Sequence, residues 1–227
     1  MVGGMGTSTE EPSSGVTHPA QWSAPILEQL RLLLAMVDPG RWFDPFAGVG
    51  LDQLRMLRPD IHWVGYEIEE EWAASDPNCI VGDSTKTDWP DAYFDGLVTS
   101  PAYGNRMADS YDGRDGSDRR TYRLSLGREL SDNSGAALQW GNAYRVLHEK
   151  AWREAHRYLC PGAPALINVK NHMRGGRVID VVGWHTAALE EAGFQVVGEV
   201  AVKTSGFRKG ANYDARADHE VILVCRR

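Results

Sequence analysis

Short apolar runs and longer amphipathic stretches alternate along this chain. The apolar runs predict strands at 41–43, 61–66, 79–81, 94–98, 165–169, 194–202 and 220–225. Apolar residues spaced by three or four positions predict a helix opening at Pro25 and further helices over 51–57, 69–74, 143–158 and 178–192. This alternation indicates an α/β fold, with a mostly parallel sheet covered by helices on both faces.

Two segments lack apolar periodicity. Residues 1–16 are rich in Gly, Ser, Thr and Glu, which predicts a disordered tail before a single domain over 17–227. Residues 104–138 are rich in Gly, Asp, Ser and Arg. Because an unstructured stretch of this length is usually functional or disordered, we expect a flexible insert that is mobile in the free protein.

Composition narrows the class of protein. The 227 residues suit one α/β domain, and no apolar run approaches the roughly 20 residues of a membrane span. The start of the sequence shows no basic region followed by an apolar stretch, so we expect no secretory signal. Cys79, Cys160 and Cys225 are far apart, which favours free thiols in a reducing cytoplasm and argues against a metal site.

The formal net charge of −7 argues mildly against nucleic-acid binding, because neutralising phosphates needs Lys and Arg. The basic residues are clustered, however. Residues 203–227 carry six basic residues against three acidic ones, and residues 106–128 carry six arginines against four aspartates. A local basic face is therefore compatible with the sequence.

Polar residues follow four of the predicted strands. Asp44, Glu67, Asp83 and Ser100 each stand where an apolar run ends. Ligands of open parallel sheets bind beyond the carboxyl ends of the strands, near the point where the strand order reverses. We therefore expect these four side chains to face one crevice.

A glycine loop follows the first strand, with the sequence Asp44-Pro45-Phe46-Ala47-Gly48-Val49-Gly50. Gly48 and Gly50 allow a tight turn and close approach of the backbone to a ligand. The loop is not the dinucleotide fingerprint, because Gln53 stands at the place of the third glycine, and no Gly-Lys-Ser/Thr of a P-loop follows. A tight turn without a ligand is the alternative interpretation.

The acidic residues allow two interpretations each. Asp44 and Glu67 could hold an amino group and ribose hydroxyls, although Glu67 could equally begin a solvated acidic helix. Asp83 and Ser84 could contact a ligand or serve only as a turn and helix cap.

Beyond these patterns, the chain resembles the DNA amino-methyltransferases that modify adenine N6 or cytosine N4. The segment 44–50 resembles their cofactor motif, and His18-Pro19 resembles the segment that precedes it. Ser100-Pro101-Ala102-Tyr103 resembles their catalytic motif, Ser/Asp/Asn-Pro-Pro-Tyr/Phe/Trp. Residues 157–162 resemble the lead into the family's fifth strand and 219–224 its last strand, so the resemblance spans about 18–227 apart from the insert.

The resemblance implies a Rossmann-like methyltransferase fold with a seven-stranded sheet, S-adenosylmethionine as cofactor and DNA as partner. The implied cofactor-binding residues are His18, Asp44, Pro45, Phe46, Gly48, Gly50, Glu67, Asp83 and Ser84. The implied catalytic residues are Ser100, Pro101 and Tyr103. The motif order places the cofactor half before the catalytic half.

This assignment makes chemical sense. The lone pair of an exocyclic base nitrogen is delocalised into the ring, so hydrogen bonds from its N–H groups to Ser100 and to the Pro101 carbonyl would favour a tetrahedral, nucleophilic nitrogen. Tyr103 would stack on the extruded base. Methylation of cytosine C5 would instead need a nucleophilic cysteine, and none stands near residue 100.

Ala102 departs from the family motif, where a second proline would stiffen the corner through its fixed φ. Alanine still leaves the Pro101 carbonyl and the Tyr103 ring available. An RNA base N-methyltransferase, or a noncatalytic nucleic-acid-binding scaffold with this fold, remain the alternatives. Serine at position 100 slightly favours cytosine N4, and the sequence indicates no oligomeric state.

Several further residues are weaker candidates. His148 and His156 lie on a predicted helix, where we expect surface or capping positions. Lys170 and His172 follow the fifth predicted strand at the edge of the crevice, and Trp22 lies close to the predicted cofactor loop.

Overall fold

A computed structural model describes residues 18–108, 121–204 and 218–227. The predicted tail over 1–16 lies outside the described residues, as do 109–120 of the predicted insert and much of the basic stretch near the C-terminus.

Nine strands and six α-helices make up the described part of the chain. The strands are β1 (Arg41–Asp44), β2 (His62–Glu67), β3 (Cys79–Val81), β4 (Gly96–Thr99), β5 (Pro164–Val169), β6 (His172–Arg174), β7 (Arg177–Ile179), β8 (Gln195–Lys203) and β9 (His219–Arg226). The helices are α1 (Ala24–Leu34), α2 (Leu51–Leu57), α3 (Glu70–Ala73), α4 (Tyr122–Leu126), α5 (Asn142–Tyr158) and α6 (Val181–Glu191).

The main sheet has seven strands in the order β3-β2-β1-β4-β5-β9-β8. All neighbours pair in parallel except β9, which runs antiparallel to both β5 and β8. The predicted α/β class and mostly parallel seven-stranded sheet are therefore confirmed. The strand order reverses between β1 and β4, and this switch point is where such sheets bind ligands.

Helices bury both faces of the sheet, as expected for parallel strands. Successive residues of a strand point to opposite faces, so Trp42 and Phe43 of β1 enter different cores. Trp42 packs in the core formed with α1 and α2, whereas Phe43 packs in the core formed with α5 and α6. Both side chains are fully buried. The packing of these two side chains therefore holds the carboxyl end of β1 in place from both faces of the sheet.

A hairpin after β5 differs from the prediction of a helix from residue 178. Val178 lies in β7, which pairs antiparallel with β6, and the turn between them is Gly175-Gly176 with positive φ at both residues. Two-residue hairpin turns favour glycine for this reason. Helix α6 starts only after Asp180, whose side chain accepts a hydrogen bond from Gly183 N at 3.0 Å.

The described part of the predicted insert contains regular elements. Thr121 caps α4 by accepting a hydrogen bond from Leu124 N at 3.2 Å, and Gly127 ends the helix in the left-handed conformation. A short 3₁₀ turn follows at Gly135–Ala137. A threonine cap and a terminal glycine are recognisable helix signals. The mobility of this insert in the free protein stays a prediction.

The expected surface position of His148 is wrong. His148 is fully buried on the inner face of α5, where its Nδ1 bonds to the Tyr144 carbonyl oxygen at 2.8 Å. Burial lowers its pKa to about 4, so the imidazole is neutral.

Among the helices of residues 18–108, 121–204 and 218–227, none has the length and apolar character that crossing a membrane requires.

Gly96 gives a test of the central packing. It lies beside Trp42 in the sheet, and a Cβ at this position would stand only 2.4 Å from the Trp42 ring. Because that ring is fully buried, we expect Gly96→Ala to lower the free energy of unfolding by about 1–3 kcal/mol through overpacking. Urea denaturation measures this change.

The matched control is Gly198→Ala. Gly198 is an exposed strand residue, and a Cβ there meets no atom within 4 Å. We expect its effect to stay within about 0.5 kcal/mol. Equal stabilities of the two variants would contradict this account of the core.

Candidate cofactor and catalytic site

A cavity of about 660 Å³ opens at the carboxyl ends of β1, β2, β3 and β4. Its volume lies within the usual range of small-molecule sites, about 300–1,000 Å³. All the sequence-predicted site residues line it: His18, Asp44, Pro45, Phe46, Gly48, Gly50, Glu67, Asp83, Ser84, Ser100, Pro101 and Tyr103. The structure thus brings both predicted groups to one cavity, and the role of each residue stays a prediction.

The glycine loop is closely packed beneath the segment that precedes α1. Gly48 has a φ of +52°, and a Cβ there would lie 3.2 Å from the His18 ring. A Cβ on Gly50 would lie 2.7 Å from Nε1 of Trp22. A larger residue at position 48 would therefore strain the turn and press on His18, and one at position 50 would displace Trp22.

Asp44 and Glu67 are carboxylates at the ends of neighbouring strands. Asp44 is 1% exposed and accepts hydrogen bonds from Phe46 N at 3.0 Å and Thr99 Oγ1 at 2.5 Å. Glu67 accepts from Gly48 N at 3.0 Å and Glu69 N at 2.9 Å.

Burial raises the pKa of both carboxyl groups to about 7. Neither pairs with a cationic side chain in the described part of the molecule. A ligand that brings positive charge and hydroxyl donors would restore the solvation that these carboxylates lose on burial.

Asp83 and Ser84 fit both alternatives from the sequence, a turn and a contact with a ligand. Asp83 Oδ1 accepts from the backbone N and the hydroxyl of Thr85, at 2.9 and 2.7 Å, so it does form a turn. Its Oδ2 accepts from Asn133 Nδ2 at 3.1 Å. Asp83 and the buried Ser84 nevertheless both line the cavity.

Residues 128–133 are tied to the sheet side of the cavity by a group of polar contacts that we call the clasp. Fully buried Glu69 accepts from Ser131 N at 2.8 Å and pairs with Arg128 at 2.9 Å. Arg128 also pairs with Glu71 at 2.5 Å, and Asn133 reaches Asp83. Sequence reasoning missed these residues, because the insert shows no apolar period.

His18 closes the cavity from the N-terminal side. Its ring packs edge-on against Trp72, with centroids 4.4 Å apart, and lies 5.5 Å from the Tyr122 ring. Burial lowers the pKa of this histidine, so the imidazole is neutral near pH 7.

Ser100 and Tyr103 belong to a polar cluster with Asn168 and Glu220. Ser100 Oγ and the Tyr103 hydroxyl are 3.0 Å apart, and that hydroxyl donates to Glu220 Oε2 at 3.1 Å. Asn168 Nδ2 contacts all three side chains: it lies 3.3 Å from Ser100 Oγ, 2.9 Å from Tyr103 Oη and 2.8 Å from Glu220 Oε2. Burial raises the pKa of Tyr103 well above its ordinary value, so the phenol stays protonated and can donate.

The cluster continues to Lys170, which lies 3.6 Å from Glu220 Oε1 and donates to Thr204 Oγ1 at 3.0 Å. Sequence reasoning did not place Asn168 or Thr204 in the site. An asparagine inside the apolar fifth strand was the available signal. Lys170 and His172 both line the cavity, and neither ring nitrogen of His172 has a hydrogen-bond partner among residues 18–108, 121–204 and 218–227.

No protein-family model matches this sequence, and no curated protein matches it either.

Solved structures resemble the chain over most of its length. The S-adenosylmethionine-dependent methyltransferase of Methanosarcina mazei has a TM-score of 0.54 at 10% identity, covering 86% of this chain and 96% of its own. The 1,6-didemethyltoxoflavin-N1-methyltransferase of Burkholderia thailandensis, with bound S-adenosylhomocysteine, has a TM-score of 0.51 at 15% identity, with coverages of 90% and 77%. The [4+2]-cyclase SpnF reaches 0.54 at 16% identity, with coverages of 88% and 80%.

These likenesses define the fold. The chain has the Rossmann-like fold of S-adenosylmethionine-dependent methyltransferases. None of the three structures is a DNA amino-methyltransferase, and the presence of a cyclase among them illustrates that this fold carries more than one reaction. The function has to be argued from the site.

The raised pKa of Asp44 predicts a stability change with pH. The pKa is about 7 in the folded protein against an ordinary 3.8, so between these values the folded state binds a proton that the unfolded state releases. Stability is therefore lost as the pH rises from about 4 to about 7. Asp44→Asn removes this penalty. The free energy of unfolding of Asp44→Asn minus that of wild type should therefore be about 2–3 kcal/mol larger at pH 8 than at pH 5.

Asp60→Asn is the control for this measurement. Arg58 holds the pKa of exposed Asp60 below its ordinary value, so this group is ionised in both states above pH 5. The difference between this variant and wild type should be the same at pH 5 and pH 8. Parallel pH behaviour of the two variants would show that Asp44 is not a buried, protonatable group.

Proposed function

We propose that this protein binds S-adenosylmethionine in the cavity and methylates an exocyclic amino nitrogen of a DNA base, cytosine N4 or adenine N6. One observation carries the proposal: the acidic glycine loop and the Ser100–Tyr103 corner share a single cavity. They are joined directly, because Thr99, the residue before Ser100, donates to Asp44 at 2.5 Å.

The residues present suit the cofactor. A Cβ on Gly48 would press against the His18 ring at 3.2 Å, so the backbone there is open to close approach by a ligand. Buried Asp44 and half-buried Glu67 face the cavity, and neither pairs with a cationic side chain among the described residues. Asp44 would hold the amino end, Glu67 the ribose hydroxyls, and Asp83 with Ser84 the base. When bound, S-adenosylmethionine supplies an electrophilic methyl group on its sulfonium.

The hydrogen-bond directions around Ser100 leave it able to accept a substrate N–H. The Tyr103 hydroxyl donates to Glu220, so the Ser100 hydroxyl donates to Tyr103 Oη. A serine hydroxyl has two acceptor lone pairs. Asn168 uses one of them, at a long 3.3 Å, and the second is available to the target amino group.

The Pro101 carbonyl supports the same role. No described residue donates a hydrogen bond to it, and Pro101 lines the cavity. Two acceptors, one from Ser100 and one from Pro101, would localise the nitrogen lone pair by binding its two N–H groups. Rate enhancement would come from this orientation and from the placed dipoles. Stacking of Tyr103 on the base completes the proposal.

Cofactor binding is tested with Glu67→Ala. Loss of a carboxylate that accepts hydroxyl donors in a buried site should raise the Kd for S-adenosylmethionine by about 10- to 100-fold, which corresponds to about 1.4–2.7 kcal/mol. Isothermal titration calorimetry measures the Kd. Glu70→Ala, at an exposed position three residues later, should bind like wild type. No binding by wild type at millimolar cofactor would refute the cofactor assignment.

Methyl transfer is tested with radiolabelled cofactor on DNA and RNA, followed by mass spectrometry of the nucleosides. We expect N4-methylcytosine or N6-methyladenine in DNA. Ser100→Ala should lower kcat by about 10²-fold or more, because a placed acceptor is lost. Ser75→Ala is the matched control, since that hydroxyl donates to the Trp72 carbonyl and, in the described part of the chain, to nothing in the cavity.

The outcomes separate the alternatives. Label found only in RNA would favour an RNA base N-methyltransferase. Cofactor binding without transfer to either nucleic acid would favour the noncatalytic scaffold. Full activity of Ser100→Ala would remove the catalytic role of the corner.

A further inference from the structure

A chain of hydrogen bonds reaches the Ser100–Tyr103 corner from the side of α5 and α6. The Tyr144 hydroxyl lies 2.8 Å from the Ala102 carbonyl oxygen and 2.8 Å from His185 Nε2. Trp152 Nε1 lies 3.2 Å from His185 Nδ1. Tyr144, Trp152 and His185 are all fully buried. We call these three residues the brace.

Each link of the brace has only one possible direction. An indole N–H can only donate, so His185 Nδ1 is the acceptor and carries no proton. Burial lowers the pKa of His185 well below its ordinary value, so the ring is neutral and its proton is on Nε2. Nε2–H therefore donates to Tyr144, whose single hydroxyl proton is left for the Ala102 carbonyl.

The brace ends at the residue where the family motif has its second proline. Ala102 lacks the fixed φ of proline, so its peptide needs another constraint. On the other side of Tyr103, Trp140 N donates to the Gly104 carbonyl at 2.8 Å, and Gly104 has a φ of +64°. The backbone is therefore held on both sides of Tyr103.

We propose that Tyr144 is a positioning residue for the corner. Its hydroxyl fixes the Ala102 peptide and thereby the placement of the Pro101 carbonyl and the Tyr103 ring, replacing the stiffness of a second proline. The catalytic part of this inference rests on the proposed methyl transfer, whereas the structural part does not.

Tyr158 separates this role from packing alone. It lies on the same helix, is equally buried, and its hydroxyl has no hydrogen-bond partner in the described part of the chain. If a buried tyrosine on α5 contributed only its ring, Tyr144→Phe and Tyr158→Phe would behave alike.

The first measurement is hydrogen–deuterium exchange of the free protein, with mass spectrometry of the peptic peptide covering residues 99–105. We expect faster exchange in Tyr144→Phe and wild-type exchange in Tyr158→Phe. Circular dichroism checks that both variants fold. Should Tyr144→Phe fail to fold, His185→Phe removes the group that donates to the Tyr144 hydroxyl and holds it in place. We then expect exchange of the same peptide to rise, by less than the loss of the hydroxyl itself would cause, and unchanged exchange would count against the brace.

The second measurement combines Ala102→Pro with each variant. If proline and the Tyr144 hydroxyl both stiffen the corner, the hydroxyl matters less once proline is present. Tyr144→Phe should then speed exchange of this peptide strongly when residue 102 is alanine and only weakly when residue 102 is proline. Equal changes in the two backgrounds, or equal exchange in Tyr144→Phe and Tyr158→Phe, would overturn the proposal.

Kinetics provide the readout for catalysis. Tyr144→Phe should lower kcat by roughly 10- to 100-fold with the Kd for S-adenosylmethionine unchanged, because misplacement of the corner affects the acceptor side. A wild-type kcat in a variant whose corner exchanges faster would overturn the catalytic part. Absence of methyl transfer by wild type would refute the proposed function, and exchange would still decide the role of the brace.

Discussion

The hydrogen bond from Thr99 to Asp44 joins the two strands between which the sheet order reverses. At this point the carboxyl ends of β1 and β4 lie side by side. Strand β1 leads into the glycine loop and β4 leads into the Ser100–Tyr103 corner, both of which line the cavity. Asp44 also accepts from Phe46 N, so the same carboxyl group shapes the start of the glycine loop. The relative placement of the two halves of the site therefore depends on one buried acid.

That arrangement carries an electrostatic penalty in the free protein. Desolvation raises the pKa of Asp44 and of Glu67 to about 7, against ordinary values of 3.8 and 4.5. A site that destabilises its own carboxylates is suited to a ligand that compensates them, since any interaction gained with the ionised form contributes to binding. Destabilised charged groups within a well-packed core are typical of functional sites.

The sequence predicted the sheet and the main cavity residues because their signals are local. An apolar run followed by Asp44 or Ser100 marks a strand end, and parallel strands bring such ends together without further information. The hairpin was missed because Val178 continues a helical spacing, and only the paired glycines mark the turn. The surface position predicted for His148 was wrong because a histidine is not counted in an apolar pattern, even when, as here, it occupies a buried position of the helix.

The polar cluster could not be predicted, because it depends on a distant pairing. Asn168 pairs with Ile222 in the antiparallel register of β5 and β9, which places Glu220 beside the end of β5. The clasp likewise depends on where residues 128–133 of the insert meet the start of α3, as the pair between Arg128 and Glu69, the residue before α3, shows. Tertiary contacts of this kind leave no periodic trace in the sequence.

The brace also differs in kind from the rest of the site. Tyr144, His185 and Trp152 are uncharged and fully buried, so dissolved ions cannot screen the contacts among them. The acidic loop, by contrast, changes its charge near neutral pH. The contacts within the brace are therefore insulated from ionic strength and acidity, whereas the charge of the neighbouring acidic loop is not. Two neighbouring parts of one cavity thus respond to different solution conditions: the charge of the acidic loop changes with pH, and the contacts of the brace do not.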